Sequence, residues 1–124
     1  MKPKGRSMQP VYQPQPGDLE RKLESTFPNE SERASANRLL GLYGEEEWHK
    51  GIERVRIAAL YNSDGDLGKL RAQIELANID YRDVIASAEY RSLMKLPADI
   101  KPGSEAYEEA VEDDSRRYQA WIDS

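Results

Sequence analysis

Apolar residues along this chain recur at helical spacing. Leu19, Leu23 and Phe27 lie on one helical face and run up to Pro28. This predicts a short helix opened by the turn Pro16-Gly17-Asp18, with Asp18 as its N-cap. Ala36, Leu39, Leu40 and Tyr43 form the stripe of a second helix, capped by Asn29 or Ser31 and closed at Gly44. Glu45, Glu46 and Glu47 suit the positive end of a helix dipole, so a third helix is predicted from about residue 45 to 61. Trp48, Ile52, Val55, Ala59 and Leu60 are its buried stripe. After the turn Asn62-Ser63-Asp64-Gly65, Asp66 caps a fourth helix with Leu67, Leu70, Ile74 and Ala77 on its core face and Gln73 off it. Asn78 stands where that helix ends or bends. Asp80 opens a fifth helix that buries Tyr81, Val84, Ile85 and Ala88.

The two ends of the chain differ from this middle. Residues 1–17 hold Pro3, Pro10, Pro14 and Pro16 with three glutamines and no hydrophobic period, so nothing offsets their ordering entropy. A proline-motif ligand is a poor reading of them, because Pro10 and Pro14 do not fit PxxP spacing. Between Leu93 and Pro102 two prolines and the lack of alternation predict an extended connector. Ser104 caps a last helix in which Tyr107, Val111, Tyr118, Trp121 and Ile122 form a stripe interrupted by Asp114. No segment alternates as a strand would. The fold expected is all-α, a small bundle of about five to six short helices. It comprises a disordered Pro/Gln-rich tail (1–17), a helical core (18–94), a connector (95–103) and an acidic amphipathic C-terminal helix (104–124). That helix is expected to dock on the chain's own core, where effective concentration is high, rather than on a partner.

Composition narrows the function classes. Hydrophobic residues are 38% and charged residues 33% of the 124, a balance that fits a globular domain with a strongly solvated surface. There is no cysteine, which removes disulfides, thiolate nucleophiles and cysteine metal sites, and the chain reads as cytoplasmic. No run matches a signal peptide or a membrane span. The net charge of −5 conceals an asymmetry. Lys2, Lys4 and Arg6 stand at the front, whereas residues 104–124 carry seven acids against Arg116 and Arg117. Long-range attraction to nucleic-acid phosphates is correspondingly weak.

The stretch Gly65-Asp66-Leu67, then Leu70-Arg71, Asp80-Tyr81-Arg82-Asp83 and Ala88-Glu89-Tyr90 resembles small uncharacterised bacterial proteins that share a GDL…LR…DYRD…AEY arrangement. The likeness spans residues 36–91. It implies a bacterial origin and a helical core, and carries over no functional residue.

Several constellations touch on chemistry. Gly65 to Lys69 lacks the leading glycine and the Ser or Thr of a phosphate loop. Asn62, Asp64 and Asp66 alternate as calcium ligands would, but Leu67 and Gln73 fill the places of the required Gly and Glu. His49, the only histidine, could be oriented by Glu45 or Glu53 but has no nucleophile beside it, and reads as an exposed helix residue. Glu108, Glu109, Glu112, Asp113 and Asp114 splay around their helix rather than converge. Helices four and five have helix-turn-helix proportions, yet Asp80 and Asp83 would face phosphates at the end that enters the groove, leaving Arg82 and Arg91 as the cations to test. Tyr90 beside Arg91 has the chemistry of an interface anchor, and Tyr118 and Trp121 supply another.

These readings converge on a non-catalytic protein-protein interaction or regulatory module. The candidate partner-binding residues are Tyr90, Arg91, Tyr118 and Trp121, with no catalytic, cofactor or metal residue. The alternatives are a helix-turn-helix-like nucleic-acid-binding regulator and, after it, an enzyme using carboxylates and His49. The expected partner is another protein. Nucleic acid is disfavoured, no membrane is involved and a homo-oligomer is compatible.

Overall fold

The structure is a computed structural model that describes residues 14–124. Most of the segment expected to be a disordered tail, residues 1–13, lies outside the described residues. The rest of that segment forms a turn, in which the Gln15 N–H donates to the Asp18 carboxylate at 3.0 Å and the Asp18 N–H to the Gln15 carbonyl at 3.1 Å. Among the described residues there are six helices and no strand, as the all-α reading expects. None is long and apolar enough to cross a membrane. The chain forms two compact units, one spanning Pro14–Ala88 and the other containing Glu89–Ser124.

The first unit opens with α1 (Asp18–Thr26), which packs on α3 and less extensively on α2. Gly17 rather than Asp18 is its N-cap, at φ 87°, so Asp18 enters the first turn and pairs with Arg21 at 2.7 Å. α2 (Glu30–Leu40) begins where Asn29 accepts from the Glu32 N–H at 2.9 Å, the capping bond expected at that position. It buries Ala36 and Leu40. α3 spans Ile52–Ser63, not 45–61. Its middle is buried on every side by Val55, Ile57, Ala58, Ala59 and Leu60, as befits the central helix of a small core. Asp64, in the left-handed region at φ 53°, then reverses the chain.

α4 (Leu67–Glu89) is two helices joined across a break at Asp80, whose φ of −155° and ψ of 96° are not helical. Asp66 caps the first half through the Lys69 N–H at 2.9 Å, and Leu70, Ile74 and Ala77 are buried as the pattern predicts. At the break Asp80 accepts from the Arg82 N–H at 3.1 Å and caps the second half, which buries Val84 and Ala88. Asn62 of α3 ties the two halves together, donating to Gln73 at 2.9 Å and to the Val84 carbonyl at 3.2 Å.

The second unit is built on α5 (Arg91–Met94) packed against α6 (Glu105–Asp123). Ser104 caps α6 by accepting from the Tyr107 N–H at 3.3 Å. The connector is not extended. It is a chain of turns closed by bonds from Leu96, Ile100 and Ser104 to the carbonyls of Leu93, Pro97 and Lys101. Each proline is tolerated because a turn needs no N–H at its own position.

Candidate functional site

Residues 41–51, expected to form the junction of two helices, are instead a folded loop, and His49 is its organiser. Its Nδ1 accepts from the Gly44 N–H at 2.7 Å and the Glu46 N–H at 3.1 Å. A nitrogen that accepts twice carries no proton, so the proton sits on Nε2 and is donated to Asn78 Oδ1 at 2.8 Å. The Asn78 amide is thereby oriented. Its Nδ2 donates to the Ile74 carbonyl at 3.0 Å and the Leu42 carbonyl at 3.3 Å. One imidazole and one amide join the loop to the last turn of helix before the Asp80 break.

Tyr43 locks the same loop from beneath. Its hydroxyl donates to the Lys50 carbonyl at 2.8 Å and accepts from the Lys50 N–H at 3.0 Å, while its ring stacks on His49 with centroids 4.1 Å apart. Burial pushes the Tyr43 phenol above its ordinary value, outweighing the bond from the Lys50 N–H, which draws it down. Gly44 is required at its position. Its φ is 126°, and a Cβ there would lie 2.7 Å from the Arg56 guanidinium and 2.9 Å from Ile52. Arg56 in turn donates to the Tyr43 carbonyl at 2.9 Å. His49 is therefore a buried structural residue, 7% exposed, and the reading of it as an exposed helix histidine is corrected.

The scaffold carries large apolar side chains outward. Trp48 is 50% exposed with its ring edge-on to His49 at 4.2 Å, Leu42 is 54% exposed and Ile79 is 81% exposed. All three belong to the same hydrogen-bonded node, because Leu42 lends its carbonyl to Asn78, Trp48 rests on His49 and Ile79 follows Asn78. Trp48 was expected in a buried stripe and is displaced from it because the helix starts later, at Ile52. Exposed Glu45, Glu46 and Glu47 directly precede Trp48 and bring three negative charges to the loop.

In the second unit Asp114 is the residue that pattern reading missed. It looked like a flaw in the α6 stripe, yet it is 1% exposed and accepts from the Ser92 N–H at 2.7 Å and the Leu93 N–H at 3.1 Å. It caps α5 from another helix. Arg117 completes the arrangement, reaching Asp114 at 2.9 Å, Asp113 at 2.8 Å and the Ser92 hydroxyl at 2.8 Å. The carboxylates thus serve helix capping and ion pairing, and no group of three or more His, Asp or Glu among the described residues is placed to hold a metal.

The four candidate partner-binding residues all fall in the second unit. Tyr90 precedes α5 and is partly exposed, as is Arg91 at its first position. Tyr118 is fully buried and stacks with Trp121 at 5.8 Å, which places it in a core and leaves Trp121, partly exposed, as the accessible ring. Arg82, weighed as a DNA contact, is held by both Asp80 oxygens at 2.9 and 3.1 Å. That pairing pulls the Asp80 carboxyl below its usual range.

A scan against models of protein families, a search of curated proteins and a search of solved structures each find no match to this chain.

Proposed function

We propose that this chain is a non-catalytic protein-binding module whose contact surface is the loop around Trp48 together with Leu42 and Ile79. The observation that supports this most is the exposure, by half or more, of three large apolar side chains on a backbone immobilised by the His49–Asn78 network. An aromatic anchor on a rigid support loses little conformational entropy when it binds, which is the character of an interface hot spot. Glu45, Glu46 and Glu47 beside it favour a partner with a basic rim.

The test is co-purification from the native host with wild type and with Trp48→Ala and Ile79→Ser. A partner held by wild type and by Trp121→Ala should be lost from the first two variants, which keep the wild-type melting temperature. Its retention should also fall as salt rises, because rim charges are screened. Equal recovery by all variants would place the contact surface elsewhere.

A further inference from the structure

Ten of the eleven arginines lie among the described residues, and most of them are spoken for. Arg21, Arg82, Arg116 and Arg117 pair with aspartates. Arg33 donates to the carbonyls of Phe27 and Pro28, and Arg56 to that of Tyr43. Arg54 and Arg91 are also engaged. Two differ. Arg38 has only a bond to the neutral Ser35 hydroxyl at 3.3 Å, and Arg71 makes no hydrogen bond or ion pair among the described residues.

Both line one cleft. It lies between α2 and the first turn of α4, has a volume of about 560 Å³ and takes its apolar surface from Leu39, Leu42 and Leu67. In a chain of net charge −5, two guanidiniums without a carboxylate partner on one concave surface form a local field of the opposite sign. Gly68 also lines the cleft, and the absence of a side chain leaves the backbone of the first turn of α4 open there. The Asp66 carboxylate is close by, 3.1 Å from where a Gly68 Cβ would stand, but one of its oxygens is taken up by the Lys69 N–H.

We propose that this cleft binds a small organic phosphate monoester with an apolar body. A volume of this size is that of a small-molecule site. A phosphate monoester carries close to two negative charges and three acceptor oxygens, so it can engage two planar guanidiniums at once, whereas one carboxylate is saturated by a single fork. The three leucines then cover the apolar body. The site stands apart from the Trp48 surface except at Leu42, which belongs to both, so an occupant of the cleft lies against the edge of the protein-binding face.

The experiment is calorimetric titration of the full chain with phenyl phosphate, inorganic phosphate and benzyl alcohol, with the Gly68 amide followed by NMR. Phenyl phosphate should bind saturably and shift the Gly68 amide, inorganic phosphate should bind more weakly, and benzyl alcohol should not bind. Arg38→Gln and Arg71→Gln should each raise Kd by about tenfold or more, the scale of one lost charge-assisted hydrogen bond. Arg116→Gln, which removes an exposed charge outside the cleft, should leave Kd unchanged. Both cleft arginines are exposed, so the substitutions leave the helical circular dichroism intact and a loss of binding is read on folded protein. The proposal is overturned if phenyl phosphate does not saturate, if Arg116→Gln weakens it as much as Arg71→Gln does, or if inorganic phosphate binds equally well.

Discussion

His49 satisfies three polar partners at once, and removing it strands each of them. Its loss leaves the Gly44 and Glu46 amides and the Asn78 oxygen without their bonds in a partly buried place, so His49→Ala should cost about 1 to 3 kcal/mol in denaturant unfolding. Asn78→Ala should cost less. Because the two residues share one bond, the double variant should fall short of the summed losses by about 0.5 to 3 kcal/mol, and strict additivity would refute the network. None of this was legible in the sequence. The acceptor role of His49 is met by backbone amides, which every residue owns and no pattern announces, and the acids before it mimic the start of a helix. Asp114 was obscured in the same manner, since an acid inside an apolar stripe has meaning only beside the α5 amides that it caps.

Helices were legible where their signals are local. Asn29, Asp66 and Ser104 cap as their residue types and positions predict, and the bend near Asn78 with a restart at Asp80 follows from a side chain bonding two residues ahead. The start of α3 was not legible, because Tyr43, His49 and Arg56 together outweigh the intrinsic helical preference of the glutamates. Ile74→Ala should cost about 2 to 5 kcal/mol through lost burial and a cavity. Gln73→Ala, although off the core face, should cost about 0.5 to 1.5 kcal/mol because it deprives Asn62 of an acceptor. A larger loss at Gln73 than at Ile74 would invert the assignment of the α4 faces. Asp114→Ala should speed hydrogen exchange at the Ser92 and Leu93 amides selectively, and unchanged exchange there would show that the cap contributes nothing. At Asp80 the folded carboxyl is held below its ordinary value by Arg82. The cap is therefore fully effective above the unfolded pKa and weakens as pH falls through the lower folded one, so exchange at the Arg82 amide should rise only in strong acid.

At the scale of the molecule, the two units differ greatly in what they bury. The first holds Phe27, Tyr43, Ile57, Leu60, Leu70 and Ile74 among its fully enclosed residues, whereas among the described residues of the second the buried hydrophobics are only Ala110, Tyr118 and Ile122. A segment of that size with so small a core is not expected to be stable by itself. With Trp48 replaced by Phe, the partly exposed Trp121 should emit at intermediate wavelength, be quenched in part and show no dependence on dilution. A blue shift that develops only on concentrating the protein would show that a second copy covers the ring. The loop at Trp48 has a different consequence. Its structural duties fall on Tyr43, Gly44 and His49, and between them the side chains of Glu45, Glu46 and Glu47 bond to nothing described. Three adjacent positions can thus mutate almost freely while the frame that presents them stays fixed. A library randomised at residues 45–47 should yield mostly folded variants, and selection for new targets would then act on recognition with little interference from stability, as in a scaffold built for display.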